Sequence, residues 1–111
     1  MTQVTLHDDI AEIRITQERV DAAAAPDLKA ELEQAMAAAP RKVVLDLSEV
    51  RFMDSTGLGL FVALLKMLGP DGAIAVAGAQ APVVRLFELT RLDTLFRLVG
   101  DVSAARALVR D

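Results

Sequence analysis

One short segment of the chain concentrates the side chains that could do chemistry. Asp54, Ser55 and Thr56 stand in a row directly before an apolar run, and two glycines, Gly57 and Gly59, follow at once. A carboxylate and two hydroxyls in this position are good N-caps for a helix. The same groups could also serve as a nucleophile, as part of an acid–base pair or as a phosphate acceptor. The plainer interpretation is that they only cap the helix.

Hydrolytic chemistry finds little support around this serine. The nucleophile elbow of an esterase needs a glycine two residues before the serine, and Met53 stands there. The chain has a single histidine, His7, which we expect on the surface or rim of the first strand. Ser55 therefore lacks the base that would activate it.

Nucleotide binding and acid–base catalysis are also weakly supported. Gly57 and Gly59 begin like a dinucleotide fingerprint, but Val62 occupies the position of its third glycine, and no Gly-Lys-Ser/Thr run occurs. Asp46 and Asp54 are the carboxylates closest to the segment, and no second type of catalytic group accompanies them. The sequence predicts a protein that is not an enzyme.

The composition excludes several other classes of site. The 111 residues are 53% hydrophobic and 25% charged, which is typical of one globular domain with its own core. The absence of cysteine excludes disulfides, thiol catalysis and thiolate metal sites, and one histidine excludes sites that need two. We therefore expect no cofactor and no metal.

Charge and hydropathy bear on partners and location. The net charge is −4, no basic cluster occurs, and tryptophan and tyrosine are absent, which argues against nucleic-acid binding. The longest apolar stretch, Leu58 to Leu68, contains Lys66 and falls short of the roughly 20 residues that a bilayer requires. The first nine residues show no signal-peptide pattern. The sequence predicts a cytoplasmic protein without direct membrane insertion.

The elements that must position the segment alternate along the chain. Polar–apolar alternation predicts two half-buried strands, one with Val4 and Leu6 and one with Ala11, Ile13 and Ile15. Short apolar runs predict further strands over 43–47, 73–77 and 95–99, and helical spacing predicts helices over 26–39, over 55–68, around 83–90 and after Asp101. This order predicts an α/β fold: a single domain, residues 1–111, with a mixed, mostly parallel sheet and helical crossovers packed against it. Sites in such folds gather at the carboxyl ends of strands, here just after residue 47.

The predicted helix over 55–68 has one stripe that we expect to face solvent. Ser55, Gly59, Val62 and Lys66 share this stripe at helical spacing, and Lys66 is the only charge of the helix. Leu58 and Ala63 are predicted to flank it. The opposite side is predicted to carry Leu60, Phe61, Leu64, Met67 and Leu68. A helix that is apolar nearly all round can also simply be buried, and this interpretation stays open.

An exposed serine at the head of such a stripe is typical of a docking face with a modification site. A phosphate adds about −1.5 to −2 charges, and a helix N-terminus offers it unpaired N–H groups and the positive end of the dipole. The fold should therefore tolerate a phosphate on Ser55, and its effect should fall on the partner. The predicted partner contacts are Asp54, Ser55, Thr56, Leu58, Gly59, Val62 and Lys66.

Two runs of the sequence resemble those of a known family. Residues 43–48 (VVLDLS) and 52–59 (FMDSTGLG) are similar to the matching segments of the anti-sigma factor antagonists of the STAS family. Weaker matches over 19–22 and 83–89 and at 104–105 extend the resemblance to nearly the whole chain. It implies a STAS-type fold.

The resemblance also implies a function. Members of the family are not enzymes: the unphosphorylated antagonist binds an anti-sigma factor that is also a serine kinase, and so frees the sigma factor. The kinase phosphorylates the serine after the aspartate, which corresponds to Ser55, and a PP2C-type phosphatase reverses the modification. By the same resemblance Asp54 would orient the loop and Thr56 would be a neighbour of the acceptor. We expect a monomer.

Two departures and two rival functions accompany this interpretation. Glu18 and Arg91 stand where family members often have glycine, both at predicted turns. Stand-alone STAS domains also occur as regulatory subunits of membrane lipid transporters, although those usually lack the full Asp-Ser-Thr-Gly-Leu-Gly motif. A sensor module for a small ligand or nucleotide is the second rival.

Overall fold

The computed structural model describes residues 2–110. In chain order these residues form β1 (Thr2–His7), β2 (Ile10–Ile15), β3 (Arg19–Val20), α1 (Ala25–Ala35), β4 (Lys42–Asp46), β5 (Phe52–Met53), α2 (Ser55–Leu68), β6 (Ala73–Ala77), α3 (Ala81–Leu89), β7 (Phe96–Val99) and α4 (Val102–Arg110). Single 3-10 turns follow α1 and α3, at Met36–Ala38 and Leu92–Thr94.

Five of the strands form one sheet in the order β1-β2-β4-β6-β7. β1 and β2 are antiparallel neighbours, and the other three pairs are parallel. The predicted mixed, mostly parallel sheet with helical crossovers is thereby confirmed. β3 and β5 pair separately as a short parallel ribbon.

The sheet separates two apolar layers. Alternate residues of β4 and β6 point to opposite faces, so that Val43 and Ile74 join the larger core while Val44 and Ala75 join the smaller one. α1, α2 and α3 cover the larger core, whose largest side chains include Phe61, Phe87 and Phe96. α4 covers the other face through Ala105 and Val109. α2 thus lies against the sheet on the three-helix side.

Three local predictions were wrong. β1 is not half-buried: Val4 and Leu6 are 42% and 52% exposed, because β1 is the outer strand of the sheet. The first helix stops at Ala35 rather than Ala39, since the chain tightens into a 3-10 turn and Ala39 takes a left-handed conformation. Leu95 lies outside β7 because its N–H donates to the Leu92 carbonyl and closes a turn.

Arg91 holds a backbone conformation that favours glycine. Its φ is 60° and its ψ is 20°, in the left-handed region, directly after Thr90, which caps the C-terminus of α3. A side chain in this region costs about 1 kcal/mol or more. This position is one of the two where the family that the sequence resembles often has glycine, so the arginine there lowers the stability of the fold.

We expect Arg91→Gly to raise the free energy of unfolding by about 1 kcal/mol, because glycine adopts this conformation without the Cβ clash. Urea unfolding followed by circular dichroism measures the change. Arg85→Gly is the matched control: Arg85 is exposed inside α3, where glycine should lower stability by about 1 kcal/mol. Equal effects of the two substitutions would contradict the strain at Arg91.

Candidate functional site

The candidate site lies at the carboxyl end of the sheet, as the strand order predicted. β3 continues the chain after β2, and β5 continues it after β4, so the β3–β5 ribbon extends that end. α2 begins directly after β5. The ribbon was missed in the sequence because two-residue strands carry no measurable periodicity.

Asp54 fixes the start of α2 and ties it to a distant loop. It is the N-cap of the helix with extended backbone, and its Oδ1 accepts a hydrogen bond from the Gly57 N–H at 2.9 Å. Its Oδ2 accepts a second one from the Ala22 N–H, in the loop between β3 and α1, at 3.2 Å. Both carboxylate oxygens are therefore used to hold backbone, which matches the capping interpretation.

Gly57 is required by the packing of the helix start. A Cβ at this position would lie 2.1 Å from the Val20 carbonyl oxygen and 2.7 Å from the Val20 Cγ1, so no side chain fits there. Gly59, one position beyond Leu58, is exposed and would place a Cβ in open space. The two glycines of the motif thus differ: the fold demands the first and makes no demand for the second.

Ser55 and Thr56 both lie exposed in the first turn of α2. Asp54 beside them is half-buried. The hydroxyls therefore face solvent on a helix start whose position is set by Asp54 and Gly57. This geometry leaves either hydroxyl accessible to a modifying enzyme or a partner.

The predicted orientation of α2 is correct in part. Gly59 and Lys66 are exposed, and Phe61 and Leu64 are fully buried, all as predicted. Leu58, however, was expected beside the exposed stripe and is only 3% exposed, as part of the main core. This burial removes Leu58 from the surface that a partner could contact.

Two further side chains of α2 depart from the prediction. Val62 is half-buried and packs against the core, so it lies at the edge of the exposed face rather than on it. Met67 was expected on the buried side and is 50% exposed. The true exposed row is Ser55, Gly59, Ala63 and Met67, at a spacing of four residues. The exposed row differs from the predicted one because the close contact between Gly57 and Val20 sets the rotation of α2 about its axis. The sequence offers only one charge, Lys66, from which to predict that rotation.

A stacked pair borders the site on the ribbon. The Arg19 guanidinium lies 4.3 Å from the centre of the Phe52 ring, and Phe52 is 41% exposed. Arg19 Nε also donates to Asp21 Oδ2 at 3.0 Å. The Ala24 N–H, which donates to the other carboxylate oxygen, and Arg19 hold the pKa of Asp21 below its ordinary value. The carboxylate in the turn that leads into α1 therefore stays charged to lower pH than an ordinary aspartate does.

The remaining candidates from the sequence do not join Ser55. His7 lies exposed on β1, as expected, and its Nε2 is 3.5 Å from Glu12 Oε2. Asp46 Oδ1 accepts from the Ser48 N–H at 3.0 Å, so this carboxylate also holds backbone. Within residues 2–110 no group of three or more histidine, aspartate and glutamate side chains could hold a metal ion. None of the helices described here has the length and hydropathy needed to span a bilayer.

Comparisons with known proteins point to one family. The model of the STAS domain family matches residues 1–106. The anti-sigma-B factor antagonist of Staphylococcus epidermidis is 36% identical over 93 residues, which are 83% of this chain and 85% of that protein. The anti-sigma-B factor antagonist of Staphylococcus aureus strain NCTC 8325 is 34% identical over 97 residues, 86% of this chain and 89% of that one.

A solved structure shares the fold in full. The crystal structure of an anti-sigma factor antagonist from Mycobacterium paratuberculosis superposes with a TM-score of 0.90 at 31% identity, over 100% of this chain and 94% of that one. The relatives are regulatory proteins by name, not catalysts. Together with the fold, these matches show that the chain belongs to the STAS domain family.

Proposed function

We propose that this chain is an anti-sigma factor antagonist that works by partner switching. Its unphosphorylated form binds an anti-sigma factor that is also a serine kinase, and so releases the sigma factor. Phosphorylation of Ser55 ends the binding, and a PP2C-type phosphatase restores it. The observation that carries the proposal is Ser55 itself, exposed in the first turn of a helix whose start is held by Asp54 and Gly57.

The surface available to the partner follows from the burial of α2. Asp54, Ser55 and Thr56 stand at its head, and Gly59 and Lys66 lie along it; Asp54 is half-buried and the other four are exposed. Val62 contributes only its exposed edge. Leu58 is left out because it is buried. Gly59 supports this placement, since a glycine that the fold does not need lets a partner approach the helix backbone closely.

The fold can accept a phosphate on Ser55. The hydroxyl faces solvent, and the positive end of the α2 dipole lies beside it. The new charge also lies next to the Asp54 carboxylate, which strengthens the negative potential of this surface. A partner that fits the unmodified surface then meets two adjacent anions, so the modification changes recognition and leaves the fold intact.

The proposal is tested by capture and phosphate transfer. We expect immobilised Ser55→Ala to retain an ATP-binding anti-sigma factor from the source cells, and Ser55→Glu to retain much less of it. The purified partner with ATP should add one phosphate to wild type and to Thr56→Ala and none to Ser55→Ala, as measured by intact mass.

Two results would overturn the proposal. One is a phosphate found on Ser55→Ala but lost in Thr56→Ala. The other is equal retention of the partner by the two Ser55 variants. The Thr56→Ala variant is the matched control because Thr56 is an exposed hydroxyl in the same helical turn.

A further inference from the structure

A shallow apolar cleft lies between α1 and α2, away from Ser55. It measures about 100 Å³ and is lined by Lys29, Leu32 and Glu33 from α1 and by Leu60, Ala63 and Met67 from α2. We infer that this α1–α2 cleft receives one aliphatic side chain, flanked by a carboxylate, from the same anti-sigma factor kinase that binds at Ser55. The inference rests on the proposed function and extends its interface.

The lining of the cleft suits an aliphatic group. Its floor is Leu32, which is nearly fully buried, and the half-buried Leu60. Ala63 and Met67 form its wall on α2, and Met67 is 50% exposed although it is a large apolar side chain. The methionine thioether is flexible and adapts to the shape of an inserted side chain.

The size of the cleft argues against a small-molecule ligand. Pockets for cofactors and drug-sized ligands measure about 300–1,000 Å³. An apolar cavity of about 150 Å³ holds a single benzene ring, so about 100 Å³ matches a group of the size of a leucine or isoleucine side chain. A protein partner supplies such a group as one residue of a larger contact.

The cleft is continuous with the surface at Ser55. Ser55, Gly59, Ala63 and Met67 follow one another at four-residue spacing, all exposed, and form one ridge of α2. Twelve residues of helix span about 18 Å, which is well within the width of a standard protein interface. A partner that covers Ser55 and follows this ridge reaches the cleft.

Charge complementarity defines the flanking group. Lys29 lies at the rim, and Lys66 is the residue before Met67. Both are exposed, and neither forms an ion pair with any of the residues 2–110. Glu33 balances Lys29 within the cleft lining, and Lys66, which is not part of the lining, adds one positive charge beside it. A carboxylate next to the inserted aliphatic side chain balances it.

The test fills the cleft without touching Ser55. We expect Ala63→Leu to weaken binding of the purified anti-sigma factor kinase at least tenfold, since its side chain occupies the space of the partner group. Ala63→Ser keeps the cleft open and should weaken binding far less than Ala63→Leu does. Ala107 is an exposed helical alanine on α4, across the sheet, and Ala107→Leu is the matched control, which should bind like wild type. Calorimetry gives the affinities, and thermal unfolding shows that all three variants fold.

The outcomes separate this inference from the function on which it rests. If Ala63→Leu binds the partner with wild-type affinity and phosphorylation of Ser55 still abolishes binding, the cleft is not a partner contact, and the proposed function stands. If Ala107→Leu weakens partner binding as much as Ala63→Leu does, the cleft is not a specific contact either. Absence of any Ser55-dependent partner would overturn both.

Discussion

Phosphorylation of Ser55 is expected to weaken the complex with the anti-sigma factor kinase by about a thousandfold. Two like charges about 4 Å apart repel by roughly 4 kcal/mol at an effective dielectric of about 20, and each 1.4 kcal/mol is a factor of about ten in affinity. A wet interface lowers the figure, and a partner with neutral groups loses affinity through desolvation instead. Titration calorimetry on unmodified and phosphoserine-containing protein measures the ratio.

Three comparisons sharpen this measurement. Ser55→Ala should bind like the unmodified protein and resist inactivation, and Ser55→Asp should reproduce part of the loss because it carries less charge than a phosphate. The ratio should shrink as salt rises, since exposed charges are screened. The phosphorylated protein should unfold within a few degrees of the unmodified one, in keeping with the exposure of Ser55. Equal affinities of the two forms would rule the switch out.

Gly57→Ala is expected to lower the free energy of unfolding by about 3 kcal/mol. Overpacking of a tight site typically costs about 1–3 kcal/mol, and here the new Cβ would press on the Val20 carbonyl oxygen, a backbone atom that no rotamer change can move. The helix start must shift, and the hydrogen bond from the Gly57 N–H to Asp54 shifts with it. Urea unfolding followed by circular dichroism reports the loss.

Gly59→Ala is the control for this substitution and should act in the opposite direction. Its Cβ meets open space within α2, and alanine is favoured over glycine inside a helix by about 1 kcal/mol. Stability should therefore rise by about that amount. Any loss of partner binding in Gly59→Ala then reports a contact at the surface rather than damage to the fold. A similar loss of stability in both variants would contradict the packing at Val20.

The sequence carried enough information to bound α2 and to place the candidate site. The predicted helix over 55–68 and the strand over 73–77 agree with the structure at both ends. Local chemistry is the reason: Asp54 is a strong cap, and Gly69 and Pro70 stop the helix. The strand order then placed the motif at the carboxyl end of the sheet.

The rotation of α2 required information that the sequence does not hold locally. It depends on the contact between Gly57 and Val20, which lie far apart in the chain and meet through the β3–β5 ribbon. An apolar helix with one lysine determines its buried side only weakly from sequence. Leu58 was therefore predicted beside the exposed stripe and Met67 on the buried side, and both predictions were wrong. The exposure of β1 could not be predicted for a similar reason, because polar–apolar alternation does not distinguish an edge strand from an inner one.

The hydrogen bond between Asp54 and Ala22 joins segments that are 32 residues apart. The close packing of Gly57 against Val20 is a second long-range contact. The surface around Ser55 is therefore a conformational epitope and not a linear one. A peptide that carries residues 50–60 alone lacks both links. An enzyme or a partner that recognised this folded surface would act on folded chains and would not act on unfolded ones.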